Sequence, residues 1–278
     1  MAPDLKYTKH HYGAESDLQV LGVWDVDAHN RSKVWVIYIH GGAWRDPRII
    51  HETFAPTINA ILSEDGSSAG LRDRIAGFAS LDHRLSPHPE FPQDPASTPP
   101  KELRKARHPD HIDDVRSGIA FLQKEYGFSS NYVLVGHSAG ACLAFQLVAT
   151  PAAAGYMPEA IVGIAGVYDF TGISARSGGA YAGFLTAAFG DPAGWDEVAP
   201  MKFSHNFAEY WKGIAILASS KNDELVDEHE IDGMAAKLRK DGCRLVVYKD
   251  VRGSHHECWE KGTDIARLVA DTFKKIQT

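Results

Sequence analysis

Apolar residues in this chain fall into short, nearly unbroken runs, alternating with longer stretches in which they recur at helical spacing. Val34-Trp-Val-Ile-Tyr-Ile39 and Ala160–Ala165 are runs of the first kind, suited to strands buried on both faces. Leu18–Asp25, Arg74–Ser80, Tyr132–Val135, Gly213–Ser219 and Cys243–Lys249 complete the predicted strands. The helical stretches are His51–Ser63 (Phe54, Ile58, Ile61, Leu62), Asp110–Tyr126 (Ile112, Val115, Ile119, Leu122), Ala139–Ala149, Asp227–Asp241 (Ile231, Met234, Ala235, Leu238) and Thr263–Ile276. Asp110 and Asp227 are placed to cap two of them, and Pro151 to stop another. Strands alternating with helices predict an α/β fold, a mostly parallel central sheet with helices on both faces.

Three segments interrupt the alternation. Residues 1–17 are polar and read as an N-terminal arm. Pro87–Pro109 is dense in proline and predicts a long loop, of a length that in compact domains is usually functional or mobile. Thr171–Lys212 holds two short helical patterns, around Tyr181–Phe189 and His205–Trp211. It reads as a lid-like insertion over a site rather than a separate unit, which leaves residues 1–278 as a single domain.

Composition narrows the function classes. A chain of 278 residues with 44% hydrophobic and 23% charged residues can bury a large core. Its net charge of −7 and its lack of a Lys/Arg run argue against nucleic-acid binding. No apolar run approaches the ~20 residues that span a bilayer, and the polar N-terminus lacks the core of a secretory signal. Three scattered cysteines, Cys142, Cys243 and Cys258, suggest reduced thiols in a cytoplasmic protein, with Cys142 packing in a helix. The oligomeric state is open, a homodimer included.

The chemistry gathers at Gly136-His-Ser-Ala-Gly140. A strand before it and a helix after it place Ser138 on a sharp turn, the nucleophile elbow of an α/β-hydrolase. Gly136 and Gly140 are required where helix and strand pack closely. Such a serine needs a base and a group that orients the base, in the chain order serine, acid, histidine. Asp223 follows the strand Gly213–Ser219. Glu224 and Asp227 compete with it, Glu224 better suited to solvent and Asp227 to a helix cap. The base follows the last strand as His255 or His256. As a metal site this pair is weak, because adjacent histidines rarely chelate one ion and no third ligand has zinc-like spacing. Oxyanion donors are the Ala139 amide and the backbone of His40-Gly41-Gly42, after a buried strand; His40 itself suits an architectural hydrogen bond.

His40-Gly-Gly-Ala-Trp44, Gly136-His-Ser-Ala-Gly140, the Asp223 loop and Gly253-x-His255-x-Glu257 together resemble the serine-dependent kynurenine formamidases (arylformamidases). The segment from His111 to Leu122 resembles their fungal branch. The likeness extends from about Val34 to the C-terminus, and Trp44 sets it apart from general carboxylesterases. It implies hydrolysis of the small molecule N-formyl-L-kynurenine to L-kynurenine and formate, in tryptophan degradation towards NAD, with no cofactor or metal. It also implies Ser138 as nucleophile, Asp223 as orienting acid and His255 as base, His255 being favoured by Glu257 two residues on, with His256 the alternative. Gly41, Gly42 and Ala139 would supply the oxyanion amides. Trp44 is a candidate to pack on the substrate ring, with a core role equally open, and Tyr168, Tyr181 and Phe184 are further candidates to line the pocket. Nothing in the sequence identifies partners for the substrate's carboxylate and amine.

Two other readings share these residues. A broad carboxylesterase or aryl esterase would use the same machinery. A non-catalytic binding protein of this fold would usually lack one of the three catalytic groups, whereas candidates for all three are present here.

Overall fold

The computed structural model describes residues 5–63, 70–149 and 157–276. Its strands are β1 (Lys6–His11), β2 (Val20–Asp25), β3 (Val34–Ile39), β4 (Ile75–Leu81), β5 (Tyr132–His137), β6 (Ala160–Ile164), β7 (Ile214–Ser220) and β8 (Arg244–Val251). They form one sheet in the order β1-β2-β4-β3-β5-β6-β7-β8. Only the β1–β2 and β2–β4 pairings are antiparallel; from β4 to β8 every pairing is parallel.

Side chains of β3 alternate between two cores. Trp35, Ile37 and Ile39 pack with α2 (Asp110–Tyr126), α3 (Ala139–Val148) and α8 (Glu228–Lys240) on one face. Val36 and Tyr38 pack with α1 (Ala55–Leu62) and α10 (Thr263–Lys275) on the other. Each large side chain buried this way contributes about 1.5–3 kcal/mol, which is why the continuous apolar runs become interior strands. In α10 the inward stripe is Ile265, Leu268, Val269 and Phe273, all buried. Among the described residues no helix is long and apolar enough to cross a membrane.

Several local expectations are corrected. The polar N-terminus is not merely an arm. Residues 6–11 form edge strand β1, where Tyr7 packs on Trp24 at 5.1 Å and Lys6 and Lys9 face solvent. Exposed lysines protect such an edge from further pairing, so a polar segment can still be a strand. His51–Ser63 is divided: residues 51–54 form a 3₁₀ turn and the α-helix starts at Ala55, with Pro56 in its first turn. Asp82 holds that turn by accepting from the His51 amide at 2.5 Å. Asp110 does not cap α2; it is the first helical residue, and its carboxylate accepts from the Arg107 amide at 3.0 Å. Asp227 does cap α8, accepting from His229 N–H at 3.1 Å. The expected stop at Pro151 lies outside the described residues.

The proline-dense stretch 87–109 has no helix or strand, but it is tied down. Arg104 donates to Phe91 O at 2.6 Å, Ser86 Oγ to Ala106 O at 2.8 Å and Ser16 Oγ to Lys101 O at 2.8 Å. Between β6 and β7 lie four helices, α4 (Phe170–Arg176), α5 (Ala182–Phe189), α6 (Trp195–Val198) and α7 (Phe207–Tyr210). A short helix that the apolar pattern did not reveal, α9 (Glu257–Lys261), follows β8.

Candidate active site

Ser138 joins β5 to α3 with φ 54° and ψ −119°, a backbone state that residues with side chains rarely occupy. Its amide donates to Ile164 O at 2.9 Å, which ties the turn to β6. The flanking glycines have no room for anything larger. A Cβ on Gly140 would lie 2.1 Å from Ile39 O, and one on Gly136 would lie 2.5 Å from Gly140 O.

The loops after β7 and β8 meet beside this turn. His255 Nδ1 lies 2.8 Å from Asp223 Oδ2 and 3.1 Å from Oδ1. Asp223 Oδ1 also accepts from the amides of Leu225 and Val226, each at 2.9 Å, which fixes the carboxylate's direction. With Nδ1–H given to Asp223, Nε2 carries the free lone pair of the ring. His256 lines the same cavity, but its ring lies at 82° to that of His255 and its buried Nδ1 has no partner among the described residues.

Around His255 the chain is held at several points. Glu224, expected to face solvent, is exposed yet accepts from the His255 amide at 3.1 Å. Glu257 accepts from Ser254 N–H at 2.8 Å and closes the turn in which Gly253 has φ 87°. Ser220 Oγ donates to Gly253 O at 2.5 Å. His137, to which no role was given from sequence, is buried and lies tilted against His255 with 4.6 Å between ring centres. Burial, then the neighbouring His255 and His256, push its pKa well down, and its neutral ring donates from Nε2 to His255 O at 3.1 Å.

A cavity of about 190 Å³ joins Ser138, His255 and His256 to Gly42, Trp44, Tyr181 and Phe184. Gly41 packs on the serine, a Cβ there standing 3.0 Å from Ser138 Cβ, and Gly42 has φ 93°. Ala139 opens α3, so its amide has no carbonyl of that helix to bond. Trp44 takes the core role. It is wholly buried against Phe170 and Phe189, at 5.7 and 4.8 Å, and it also contributes to the cavity wall. Tyr168 is corrected: its side chain turns away into the core, edge-on to Phe145 at 5.6 Å, and its neighbour Val167 lines the cavity instead. Tyr181 lines the cavity, with its hydroxyl donating to Leu225 O at 2.7 Å.

His40 stands behind the glycines. It donates from Nδ1 to Gly41 O at 2.9 Å, and its Nε2 lies 3.3 Å from Asp82 Oδ1. His51 meets the other Asp82 oxygen at 2.6 Å. Burial alone would raise the Asp82 carboxyl, but hydrogen bonds and charge from His40 and His51 hold it well below the usual carboxylate range.

A parallel sheet with a strained serine turn at the end of a central strand, between helices on both faces, defines this protein as an α/β-hydrolase. Solved structures agree on the fold: esterase B from Lactobacillus rhamnosis aligns with a TM-score of 0.67 at 14% identity, over 99% of this chain and 87% of that one. An arylesterase aligns with a TM-score of 0.63 at 15% identity, over 98% and 85%. No family profile matches the chain. Among curated proteins it is 35% identical to a kynurenine formamidase-like hydrolase of Fusarium equiseti, over 94% of this chain and 91% of that protein. It is also 35% identical to the kynurenine formamidase of Aspergillus versicolor, over 82% and 84%. The chain belongs to the kynurenine formamidase family, beside its fungal members.

Proposed function

We propose that this protein hydrolyses N-formyl-L-kynurenine to L-kynurenine and formate, the step that feeds tryptophan degradation towards NAD. Ser138 is the nucleophile, His255 the base and Asp223 the acid that orients it. The observation that carries this reading is the 2.8 Å bond from His255 Nδ1 to Asp223, beside Ser138 on one cavity, in a chain of this family.

Ser138 Oγ attacks the formyl carbon while His255 Nε2 takes its proton. Amides of Gly41, Gly42 and Ala139 receive the oxyanion, a contribution of about 3–4 kcal/mol per well-placed donor in such sites. His255 then protonates the departing aniline nitrogen, and water, deprotonated in turn by His255, releases formate from the serine. The formyl group needs little space, so the cavity's aromatic wall of Trp44, Tyr181 and Phe184 is available for the leaving-group ring. The segment 171–212 acts as the cap that supplies two of these side chains.

Wild type, Ser138→Ala, His255→Ala and His256→Ala should be compared on N-formyl-L-kynurenine by following kynurenine absorbance. Turnover is expected in wild type and to be lost in Ser138→Ala and His255→Ala. Retained activity in Ser138→Ala, or hydrolysis by wild type of short-chain aryl esters alone, would refute the proposal.

A further inference from the structure

Arg45 stands in the wall of the Ser138 cavity, one residue beyond buried Trp44. Its turn is closed by the amides of Arg45 and Asp46, both donating to Gly42 O at 2.9 Å. The same short loop thus carries both a candidate oxyanion amide and this guanidinium. Arg45 is half-buried, with its guanidinium carbon 5.7 Å from the centre of the Phe184 ring. Among the described residues it forms no ion pair and no side-chain hydrogen bond. The adjacent carboxylate is already engaged: Asp46 accepts from Arg48 Nε and Nη2 at 2.9 and 2.7 Å. Burial lowers the pKa of Arg45, against the pull of Glu90 and Asp46.

Much of the remaining wall, including Trp44, Val167, Phe184, Leu225 and Val226, is apolar. A cation held partly out of water without a paired anion is costly unless a ligand supplies one. The planar fork of a guanidinium matches a carboxylate with two parallel bonds.

Resting on the formamidase reading above, we propose that Arg45 binds the α-carboxylate of the substrate's amino-acid tail and so selects an amino-acid leaving group over a neutral aryl amine. Because that carboxylate is remote from the scissile bond, most of the contribution falls on KM.

The test compares wild type, Arg45→Met and Arg45→Lys on N-formyl-L-kynurenine and on formanilide, a neutral aryl formamide. Arg45→Met should lower the ratio of kcat/KM for the first substrate over the second about 10- to 100-fold, mainly through KM, with Arg45→Lys in between. Turnover of formanilide by Arg45→Met shows that the variant is folded. In the same variants, inhibition of p-nitrophenyl acetate hydrolysis by L-kynurenine should weaken by a similar factor, and inhibition by its decarboxylated analogue should not. An unchanged substrate ratio overturns the Arg45 assignment alone. So does relief of inhibition by formate with the ratio unchanged, which would place the product anion there instead. If wild type cleaves formanilide but leaves N-formyl-L-kynurenine intact, the functional reading fails and takes this proposal with it.

Discussion

His255 Nδ1 and Asp223 Oδ2 are 2.8 Å apart, and both side chains are almost wholly withdrawn from water. The carboxylate is oriented by two further amides, so it can accept Nδ1–H in one direction only. Asp223→Asn keeps the shape but offers a donor where an acceptor is needed, favouring the wrong tautomer. A fall in kcat of about 10⁴-fold is expected. Glu224→Gln, which touches only the His255 amide, should cost roughly tenfold. Equal losses in the two variants, measured by kynurenine release, would reverse the assignment of the acid.

The elbow is a packing constraint as well as a chemical one. Gly140→Ala drives a methyl into the Ile39 carbonyl, backbone that cannot step aside. A loss of about 3 kcal/mol or more in urea denaturation is expected. Gly183 in α5 has open space around it, so Gly183→Ala should be neutral or stabilising by about 0.5–1 kcal/mol. Similar effects at both positions would contradict the close approach of α3 to β3.

Glu230 is fully buried on α8, accepting from the amides of Tyr168 and Asp169 and from Arg176. It anchors the chain that leads from β6 into α4. Burial outweighs these partners and raises its pKa. Arg176→Met leaves an unpaired buried carboxylate, with an expected loss of about 3–5 kcal/mol. Since Glu230 can take up a proton, the loss should be smaller at pH 5 than at pH 8. A pH-independent difference in Tm between variant and wild type would contradict this.

Three buried histidines should weaken the fold as the pH falls. Burial, and next the proximity of His40, hold His83 down to about 4, and His111 and His137 are pushed well below 6.5, mainly by burial. Below about pH 6.5 the unfolded chain binds protons that these rings refuse in the native state. Their contribution to stability is therefore full above that pH and is lost as the pH falls towards 4. Each ring contributes a slope of about 1.4 kcal/mol per pH unit. Urea midpoints between pH 7.5 and 4.5 should fall accordingly, and flat midpoints would count against it.

Local patterns made much of the fold legible. β3, β5, β6 and β7 are interior strands because their continuous apolar runs have nowhere else to go. Edge strand β1 escaped notice because an edge requires no apolar run, only one aromatic ring on Trp24. Tyr168 was misplaced because direction after a strand is not local. Ala165 takes φ 48° just beyond β6, and from there Val167 faces the cavity while Tyr168 faces Phe145.

By itself the sequence determined the turn that carries Ser138, because a strand, two glycines and a helix at that spacing admit little else, and it placed the candidate acid and base after the next strands in chain order. The preference for Asp223 and His255 came from the order of elements and the likeness to the family. That the His255 ring meets Asp223, while Glu224 takes only the His255 amide, depends on how the loops after β7 and β8 converge, since adjacent residues differ in which way they point rather than in chemistry. Arg45 beside Ser138 is likewise tertiary. Its proximity depends on β3 lying next to β5 in the sheet, a pairing between strands about a hundred residues apart that no local pattern encodes.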